Sequence, residues 1–562
     1  MNVPIEPFHR YDQSFRYQLH DAYYAARGIR AWTENEIPHE ITTNVGTARQ
    51  HVRLLLAHFL SVEARLAPDE PYTVLEVGGG LGRFVRNVFH TLDSLPTYSG
   101  RRPEEKAEDV ARFSRRLRYV FSDMSARSLA EAAGSPDLEP LVSAGRVVPA
   151  LFDVRTPNQL IDLDGAPVLG TGQRLAAVIA NYVVCTTPVR IVQRRSAAPS
   201  VEASAKRGRN KRASWFEAWV ETAVEAHEDG VTGEGVAREI LDDPTRKDLM
   251  PDLLANIELR PIGKSGAEDG FAAHHERILE RLLSPSPTAT VAYPTSFVDA
   301  VLALGGQMVP GGLFAVSDLG RGEEKELAGE QLPAPQHYGN TLNHVINFGI
   351  FDTLAAETSS GVIRTRGYLP SIFQAAWTHG EPLPARVRDT FTAHFIEAHE
   401  GHELLDLTEA ANDASRNQAF HRSTRLFEKA LALDPLSPRL HYLLGESCVH
   451  SGHHELARDI LLRGWALDER KRYDFDFLLG RVYASLREYA AALEWLYLSL
   501  ERELHPMTLT NIAEVHRLQN DFDNAVRYYQ RAMTVDPGYE HAKSRLEHLK
   551  ESWWKERIAG IE

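Results

Sequence analysis

The sequence has little cysteine, no long apolar run and no basic leader. Its two cysteines, Cys185 and Cys448, lie far apart in a chain of 562 residues, which argues against a disulfide framework and predicts a reducing, cytoplasmic location. No apolar run reaches the roughly 18 residues of a membrane-spanning helix. The first residues, Met1–Glu6, carry neither the basic nor the apolar part of a signal peptide. We therefore expect no membrane partner.

An excess of positive charge is also missing. The formal net charge is −15 at pH 7, and binding to nucleic-acid phosphates needs a basic face, so we expect no nucleic-acid partner. The composition, 43% hydrophobic and 25% charged, is typical of a globular protein. At about 100–200 residues per domain, this length predicts two to four domains.

Strand and helix patterns alternate through residues 71–190 and 289–390. Such alternation predicts an α/β, Rossmann-like domain with a parallel sheet and helices on both faces. Residues 1–70 precede it as a mostly helical segment. The predicted strands are Tyr72–Val77, Leu117–Phe121, Val147–Phe152, Ala176–Ala180 and Leu313–Ser317.

A long insertion, residues 191–288, separates the last two of these strands. It opens with a loop rich in basic and small residues, interpreted as a flexible linker or as a docking patch for an acidic partner. Helices are predicted near Trp215–His227 and Ala273–Leu283, and a helical insertion here would cover the active site. The basic residues of the loop are Arg194, Arg195, Lys206, Arg207, Arg209, Lys211 and Arg212.

A repeat of 33–35 residues begins near residue 400. Small residues recur where two helices would cross, bulky residues recur beside them, and Asp-Pro ends two repeats at Pro435 and Pro537. This period resembles tetratricopeptide (TPR) repeats and predicts an all-α solenoid over 400–562, closed by a capping helix. The recurring positions are Gly445, Gly480 and Ala513; Ala457, Ala492 and Ala525; and Phe427, Leu461, Leu496 and Tyr529.

A glycine-rich turn follows the first predicted strand. Glu76-Val-Gly-Gly-Gly-Leu-Gly82 has an acid two residues before the first of three alternating glycines, which let the backbone approach a ligand closely. The dinucleotide fingerprint G-x-G-x-x-G fails, because Arg83 or Val85 occupies its last position. A Walker A loop fails too, because Glu258 stands where its first glycine belongs.

S-adenosylmethionine (SAM) suits the pattern better. Glu76 would lie near the cationic methionine part, and Gly78, Gly80 and Gly82 would form the turn around the cofactor. At the ends of the next two strands, Asp123 is placed for the ribose hydroxyls and Asp153 for the adenine amino group, with Phe152 as an apolar wall.

These residues resemble a known family. Beyond the class I methyltransferase pattern, residues 17–380 resemble the MidA-type family, which includes bacterial proteins and the mitochondrial complex I assembly factor that methylates a protein arginine. The resemblance implies SAM as cofactor and also assigns Thr43, Met124 and Asn181 to its site. The similar segments are Tyr23-Tyr24, His39–Thr43, Leu117–Ser125, Asn181–Arg190, Gly311–Gly320 and Tyr338–Leu342.

The sequence departs from that family on the side expected to face the methyl acceptor. Tyr182 replaces an acid, Cys185 replaces an aspartate, and Leu319 replaces a tyrosine. Val45-Gly46 replaces a Pro-Glu pair. The resemblance therefore implies SAM binding without implying an arginine acceptor.

Candidate groups for holding or deprotonating the acceptor follow the fourth and fifth strands. Asn181, Tyr182 and His344 are the residues that we expect to take part in catalysis. Neither pair of adjacent histidines, His274-His275 or His453-His454, shows a metal-ligand pattern, so we expect no metal. Further candidates are Asp318, His337, Tyr338 and Asn343.

Three functions agree with these observations. The first is a methyltransferase acting on a protein or peptide that the TPR array docks. The second is a small-molecule methyltransferase whose repeats serve oligomerisation, for example as a homodimer. The third is a scaffold protein whose SAM fold is not catalytic.

Overall fold

The structure is a computed structural model of the chain. It describes residues 2–33, 43–94, 106–195, 214–225, 232–246, 249–262, 270–322, 324–365, 372–397, 400–468 and 472–559. Two compact units are present, Met1–Gly401 and His402–Glu562. Most of the predicted basic loop, with Lys206, Arg207, Arg209, Lys211 and Arg212, lies outside the described residues.

The first unit combines strands and helices. Its strands are β1 (Asn2–Pro4), β2 (His9–Arg10), β3 (Tyr72–Val77), β4 (Leu117–Asp123), β5 (Val147–Leu151), β6 (Leu175–Asn181), β7 (Arg190–Arg195), β8 (Ser214–Glu225), β9 (Leu254–Pro261), β10 (Thr288–Tyr293), β11 (Met308–Arg321), β12 (Ile346–Asn347), β13 (Val362–Arg364) and β14 (Ile372–Thr378). Its helices are α1 (Phe15–Arg27), α2 (Arg30–Thr33), α3 (Val45–Val62), α4 (Arg83–Ser94), α5 (Ala107–Arg116), α6 (Ala126–Ala133), α7 (Glu139–Ser143), α8 (Gly233–Asp242), α9 (Leu249–Asp252), α10 (Ala273–Leu283), α11 (Thr295–Gly305), α12 (Gly349–Glu357) and α13 (Ala385–Phe391).

The central sheet has the order β13-β14-β11-β6-β3-β4-β5, with β12 paired to β11. The run from β5 to β11 is parallel, whereas β14 is antiparallel to both β11 and β13. All five strands predicted from the sequence lie in this parallel run. Their carboxyl ends therefore meet at one edge of the sheet, where the glycine turn lies.

Both faces of the central sheet are covered, as expected for parallel strands. Strand β3 illustrates the alternation, because successive side chains of a strand point to opposite faces. Tyr72 and Val74 belong to a core shared with α3 and α4. Leu75 and Val77 belong to a larger core on the other face. An α/β architecture agrees with these observations.

A second, antiparallel sheet corrects the prediction of a helical insertion. Its order is β1-β8-β7-β10, with β2 and β9 also paired to β8. The segment predicted as a helix from Trp215 is strand β8, and β9 was missed, whereas α10 was predicted correctly. Because β1 and β2 pair with β8, the N-terminal segment and the insertion form one layer. The N-terminal segment is otherwise mostly helical.

The second unit is all-helical in its described residues. Four antiparallel helix pairs are followed by a last helix, as the repeat pattern predicts. The helices are α14 (Glu400–Arg416), α15 (Phe420–Leu433), α16 (Pro438–His450), α17 (His454–Leu467), α18 (Phe475–Ser485), α19 (Tyr489–Arg502), α20 (Pro506–Leu518), α21 (Phe522–Val535) and α22 (Glu540–Ala559).

Small residues allow the paired helices to approach closely. A Cβ on Gly480 would lie 2.5 Å from Cγ of Leu496, and one on Gly445 would lie 2.5 Å from Cγ of Leu461. These are the glycine and leucine positions that repeat in the sequence. The repeat pattern therefore identified the contacts as well as the helices.

One further expectation concerns membranes. In the part of the chain that the structure describes, no helix is both long and apolar enough to cross a bilayer.

Candidate functional site

A cleft opens at the carboxyl edge of the central sheet, beside the turn between β3 and α4. Most of the residues predicted to bind the cofactor line it. So do Asn181, which ends β6, and Tyr182, which follows it. The lining residues that the sequence predicted are Thr43, Gly78, Gly80, Asp123, Met124, Asn181 and Tyr182.

The three alternating glycines have positive φ angles, which favour glycine. They are +66° at Gly78, +55° at Gly80 and +76° at Gly82. Space is restricted as well, since a Cβ on Gly78 would lie 2.6 Å from Cγ2 of Val183. A Cβ on Gly82 would contact Leu138. Gly82 belongs to the turn but does not line the cleft.

Asp123 ends β4 and fastens the glycine turn. Its Oδ2 accepts a hydrogen bond from the backbone N–H of Gly80 at 3.0 Å, and its Oδ1 accepts one from Ser125 at 2.8 Å. Burial raises the pKa of Asp123, while these backbone hydrogen bonds act in the opposite direction. A carboxylate offers about four acceptor positions, so Asp123 can hold the turn and still accept a bond from a ligand hydroxyl.

Glu76 lies in β3 just before the turn and is only 2% exposed. Its Oε2 is buried without a hydrogen-bond partner. Burial raises the pKa of Glu76 to about 8, with Asp123 adding a smaller repulsion. A neutral carboxyl group is therefore favoured at neutral pH, and a nearby cation would favour the charged form.

Asn181 ends β6 and supplies the most informative side chain of the cleft. It is 8% exposed, yet neither its Oδ1 nor its Nδ2 has a hydrogen-bond partner. A buried amide without a partner is costly, and this amide lines the cleft. Such a group is well placed to bind a ligand.

Tyr182 follows Asn181 in a left-handed conformation, with φ of +59°. Its backbone N–H donates to the carbonyl of Ser317 at 2.8 Å. Burial raises the pKa of Tyr182, and the nearby Cys185 and Tyr338 add to the effect. The hydroxyl therefore stays protonated at neutral pH, so it can donate a hydrogen bond but does not act as a base.

The loop after β6 is held from below by Asp318. Its Oδ2 accepts hydrogen bonds from the backbone N–H groups of Val183 at 2.9 Å and Val184 at 2.6 Å, and from Cys185 at 3.3 Å. Asp318 is fully buried inside β11 and does not line the cleft. Its role is to position Asn181 and Tyr182, whereas the sequence suggested that it would contact the acceptor.

His344 does not lie at the cleft. It is fully buried, with neither ring nitrogen hydrogen bonded, and its ring centroid is 5.4 Å from that of Tyr11. Burial, with smaller contributions from the nearby Arg16 and His337, lowers the pKa of His344 to about 3. Such a weak base is poorly suited to remove a proton at neutral pH.

Phe152 and Asp153, the two residues predicted to bind adenine, do not line the cleft either. Phe152 is 3% exposed and belongs to the larger core of the unit. Asp153 accepts a hydrogen bond from Arg155 at 2.7 Å, and Arg155 also contacts Asp21 at 2.5 Å. The adenine assignments of both residues remain predictions.

Two aromatic residues of the cleft were not predicted as cofactor ligands. Tyr24 and Trp32 line it, with ring centroids 5.4 Å apart. A Cβ on Gly80 would lie 3.3 Å from the Trp32 ring. Tyr24 belongs to a segment that resembles the family, which was a usable signal. Trp32 has no pattern around it that could have revealed its position.

The second unit has a surface cavity of about 650 Å³ on three neighbouring repeats. Its walls carry both signs of charge and several histidines, a composition suited to polar contacts. The residues concerned include His421, Arg425, Glu428, His453, His454 and Glu455.

Comparison with known proteins identifies the repeats. Residues 408–470 and 508–543 match family models described as tetratricopeptide repeat. The C-terminal region is therefore a TPR region, and such repeats typically bind proteins or peptides.

A curated relative, the "BBSome complex member BBS4" of Mus musculus, is 25% identical over 115 residues. The match covers 20% of this chain and 22% of that protein. The chain thus spans well under two thirds of the length of this relative.

Solved TPR structures are similar over a small part of the chain. A MamA crystal structure is 18% identical, covering 27% of this chain and 82% of that one, with a TM-score of 0.25. MamA from Desulfovibrio magneticus RS-1 is 12% identical, covering 28% and 90%, with a TM-score of 0.25. YrrB, described as a TPR protein with an unusual peptide-binding site, is 21% identical, covering 28% and 81%, with a TM-score of 0.24.

Proposed function

We propose that this protein is a SAM-dependent methyltransferase whose TPR region docks a protein or peptide substrate. The observation that carries the proposal is the cleft at the carboxyl edge of the central sheet. There, a glycine turn and a strand-end carboxylate face a buried amide that has no partner in the protein.

The strand order supports this proposal. In chain order, β3, β4, β5, β6 and β11 occupy the places of the first five strands in the doubly wound, nucleotide-binding order 3-2-1-4-5. Beyond β11, strand β14 lies between β11 and β13 and is antiparallel to both. An antiparallel strand at this place resembles the sheet of class I methyltransferases and differs from the all-parallel dinucleotide-binding order.

The residues present suit SAM. The turn at Gly78 and Gly80 has positive φ angles and no room for a Cβ beside Val183 and Trp32, so it presents bare backbone to the cleft. Asp123 can accept hydrogen bonds from ribose hydroxyls, and the unpartnered Oε2 of Glu76 suits a nearby positive charge. Tyr24 and Trp32 would pack against the cofactor and exclude water. When bound, SAM supplies an activated methyl group.

On the acceptor side, the chain offers orientation more than proton transfer. Asn181 can accept and donate hydrogen bonds, and Tyr182 can donate one. Holding the acceptor in line with the methyl group accounts for much of the catalysis of such a displacement. The described lining contains no histidine, so an acceptor that must lose a proton would lose it before transfer or to solvent.

The first test is calorimetric titration of the full-length protein with SAM and with its demethylated product. Asn181→Ala removes no hydrogen bond of the free protein, so it should leave the fold intact. We expect it to weaken binding by about 3- to 10-fold. Asn158→Ala, at an exposed asparagine outside the cleft lining, is the matched control and should bind normally.

Absence of SAM binding by the wild-type protein would contradict the cofactor and leave the repeats as the functional part, in a scaffold protein. Binding that Asn181→Ala does not change would mean that Asn181 faces the acceptor or has no role in the cofactor site.

The second test concerns the substrate. Transfer of labelled methyl groups to members of a peptide library is expected. A methylated peptide carrying a photoreactive group should then cross-link within residues 402–562. Cross-links confined to the first unit would contradict docking by the repeats while leaving the methyltransferase intact. Transfer to small molecules alone would favour the small-molecule enzyme.

A further inference from the structure

Two adjacent histidines at the start of α10 meet one aspartate of α11. His274 Nε2 lies 2.9 Å from Asp299 Oδ1, and His275 Nε2 lies 3.1 Å from the same oxygen. The three ligand atoms are all within 4.8 Å of one another. In the described part of the chain, this is the group of histidine and acidic residues that converges in this way.

The convergence is unusual for neighbouring helical residues. Successive side chains of an α-helix point about 100° apart, yet the rings of His274 and His275 have centroids only 4.0 Å apart, with 47° between their planes. Both rings therefore direct Nε2 at the same oxygen of Asp299.

His275 is also oriented from behind. Its Nδ1 lies 2.9 Å from the hydroxyl of Tyr293, which is fully buried at the end of β10. Histidines that bind metals usually use their second ring nitrogen for such a bond, which fixes the ring and directs the other nitrogen to the ion. Here that other nitrogen, Nε2, is the one directed at Asp299.

Access is favourable as well. The side chain of Asp299 is 48% exposed and that of His274 is 29% exposed. An ion can therefore reach the group from solvent, and a water molecule can complete its coordination. The nearby Glu357 is held by Arg277 and Arg281.

We propose that His274, His275 and Asp299 form a binding site for a divalent transition-metal ion, with zinc the best match to the donor atoms. Two imidazole nitrogens and a carboxylate oxygen are preferred by zinc and its neighbours, whereas magnesium and calcium prefer oxygen ligands alone. The site joins α10, which ends the insertion, to α11, which leads into the central sheet. The bound ion would hold α10 against α11.

This site could not be predicted from the sequence because Asp299 lies 24 residues beyond His275, on another helix. Adjacent histidines without a local third ligand do not form a metal-binding motif. The fold supplies the missing ligand.

The test is calorimetric titration of the full-length protein, freed of metal with a chelator, using Zn²⁺ alone. We expect about one ion per chain, and binding at least about 10-fold weaker in Asp299→Asn and in His274→Gln. These changes affect partly exposed side chains and should leave the fold intact, as circular dichroism will check. His453→Gln, in the other pair of adjacent histidines, is the matched control and should bind zinc as the wild type does.

A second variant tests the orientation of His275. Tyr293→Phe keeps all three ligands and should weaken zinc binding by about 10-fold or more, the usual effect of losing such a supporting bond. Co²⁺ should give the visible absorption of a tetrahedral site in the wild type, and this absorption should be lost in Asp299→Asn, which lacks one ligand. The proposal is overturned if Zn²⁺ does not bind, or if it binds Asp299→Asn and the wild type equally. The group is then a hydrogen-bonded triad.

Discussion

Glu76 is the residue whose environment departs furthest from that of a surface carboxylate. Burial raises its pKa from the ordinary 4.5 to about 8. Between these values the folded protein holds a proton that the unfolded chain releases. The free energy of unfolding must therefore fall as the pH rises through this range. The full cost of ionising the buried carboxyl group lowers the free energy of unfolding only above pH 8.

The substitution Glu76→Gln should remove this dependence. Near pH 4 the two proteins should be equally sensitive to urea, whereas at pH 8.5 the variant should be more stable, by about 4–5 kcal/mol. Urea unfolding at a series of pH values measures the difference. Glu381→Gln, which affects a partly exposed surface ion pair with Arg65, should show no such trend. Equal pH profiles for wild type and Glu76→Gln would mean that Glu76 is ionised in the folded protein.

A single residue of the site could be predicted from the sequence where the residues that determine its position are its neighbours along the chain. Glu76, the glycines and Asp123 were found because a strand end and a turn are encoded by neighbouring residues. Asp318 was expected to contact the acceptor and Arg155 was given no role, because their actual partners lie far away along the chain. Asp318 accepts hydrogen bonds from the backbone at Val183–Cys185, and Arg155 contacts Asp21. Contacts of this kind follow from the fold and have no sequence pattern of their own.

Among the elements, strand β8 is the clearest difference between prediction and structure. Its sequence, from Trp215 to Glu225, is rich in aromatic and β-branched residues, which favour strands. The predicted helix ignored this preference. The strand forms because β7, β9 and the N-terminal β1 and β2 all supply partners, and pairing over such distances is invisible to local periodicity. The parallel strands, being buried apolar runs, were easier to locate.

The turns between paired TPR helices share one residue in the left-handed conformation. Gln418, Gly452, Arg487 and Asn520 have φ angles of +59°, +77°, +65° and +61°. They are 34, 35 and 33 residues apart, the period of the repeats. Only one of the four is glycine, the residue that adopts this conformation without strain. The other turns therefore carry a conformational cost.

Reciprocal substitutions should expose that cost. Gly452→Ala should destabilise the TPR region by about 1 kcal/mol, although the added methyl group would have no atom within 4 Å. Arg487→Gly should stabilise it by about 0.5 kcal/mol, since the greater freedom of glycine in the unfolded chain offsets part of the gain. Urea unfolding followed by circular dichroism measures both. Changes of the same sign in the two variants would rule out backbone strain as the cause.

At the scale of the whole molecule, each unit has its own hydrophobic cores. The two large cores of Met1–Gly401 cover the faces of the central sheet, and the cores of His402–Glu562 lie between the TPR helices. In the described part of the chain, each of these cores is built from residues of one unit. Since burial of apolar surface in a shared core makes folding cooperative, units with separate cores are expected to unfold in separate steps.

Differential scanning calorimetry of the full-length protein should therefore show two transitions that can be assigned independently. Gly452→Ala should lower only the transition of the TPR region, by about 2–4 °C. Saturating SAM should raise only the transition of the α/β unit, because a ligand stabilises the unit that it binds. A single transition that moves with both would mean that the units fold as one. If Gly452→Ala lowers one of two transitions and SAM moves neither, the units are independent and the proposed cofactor is wrong.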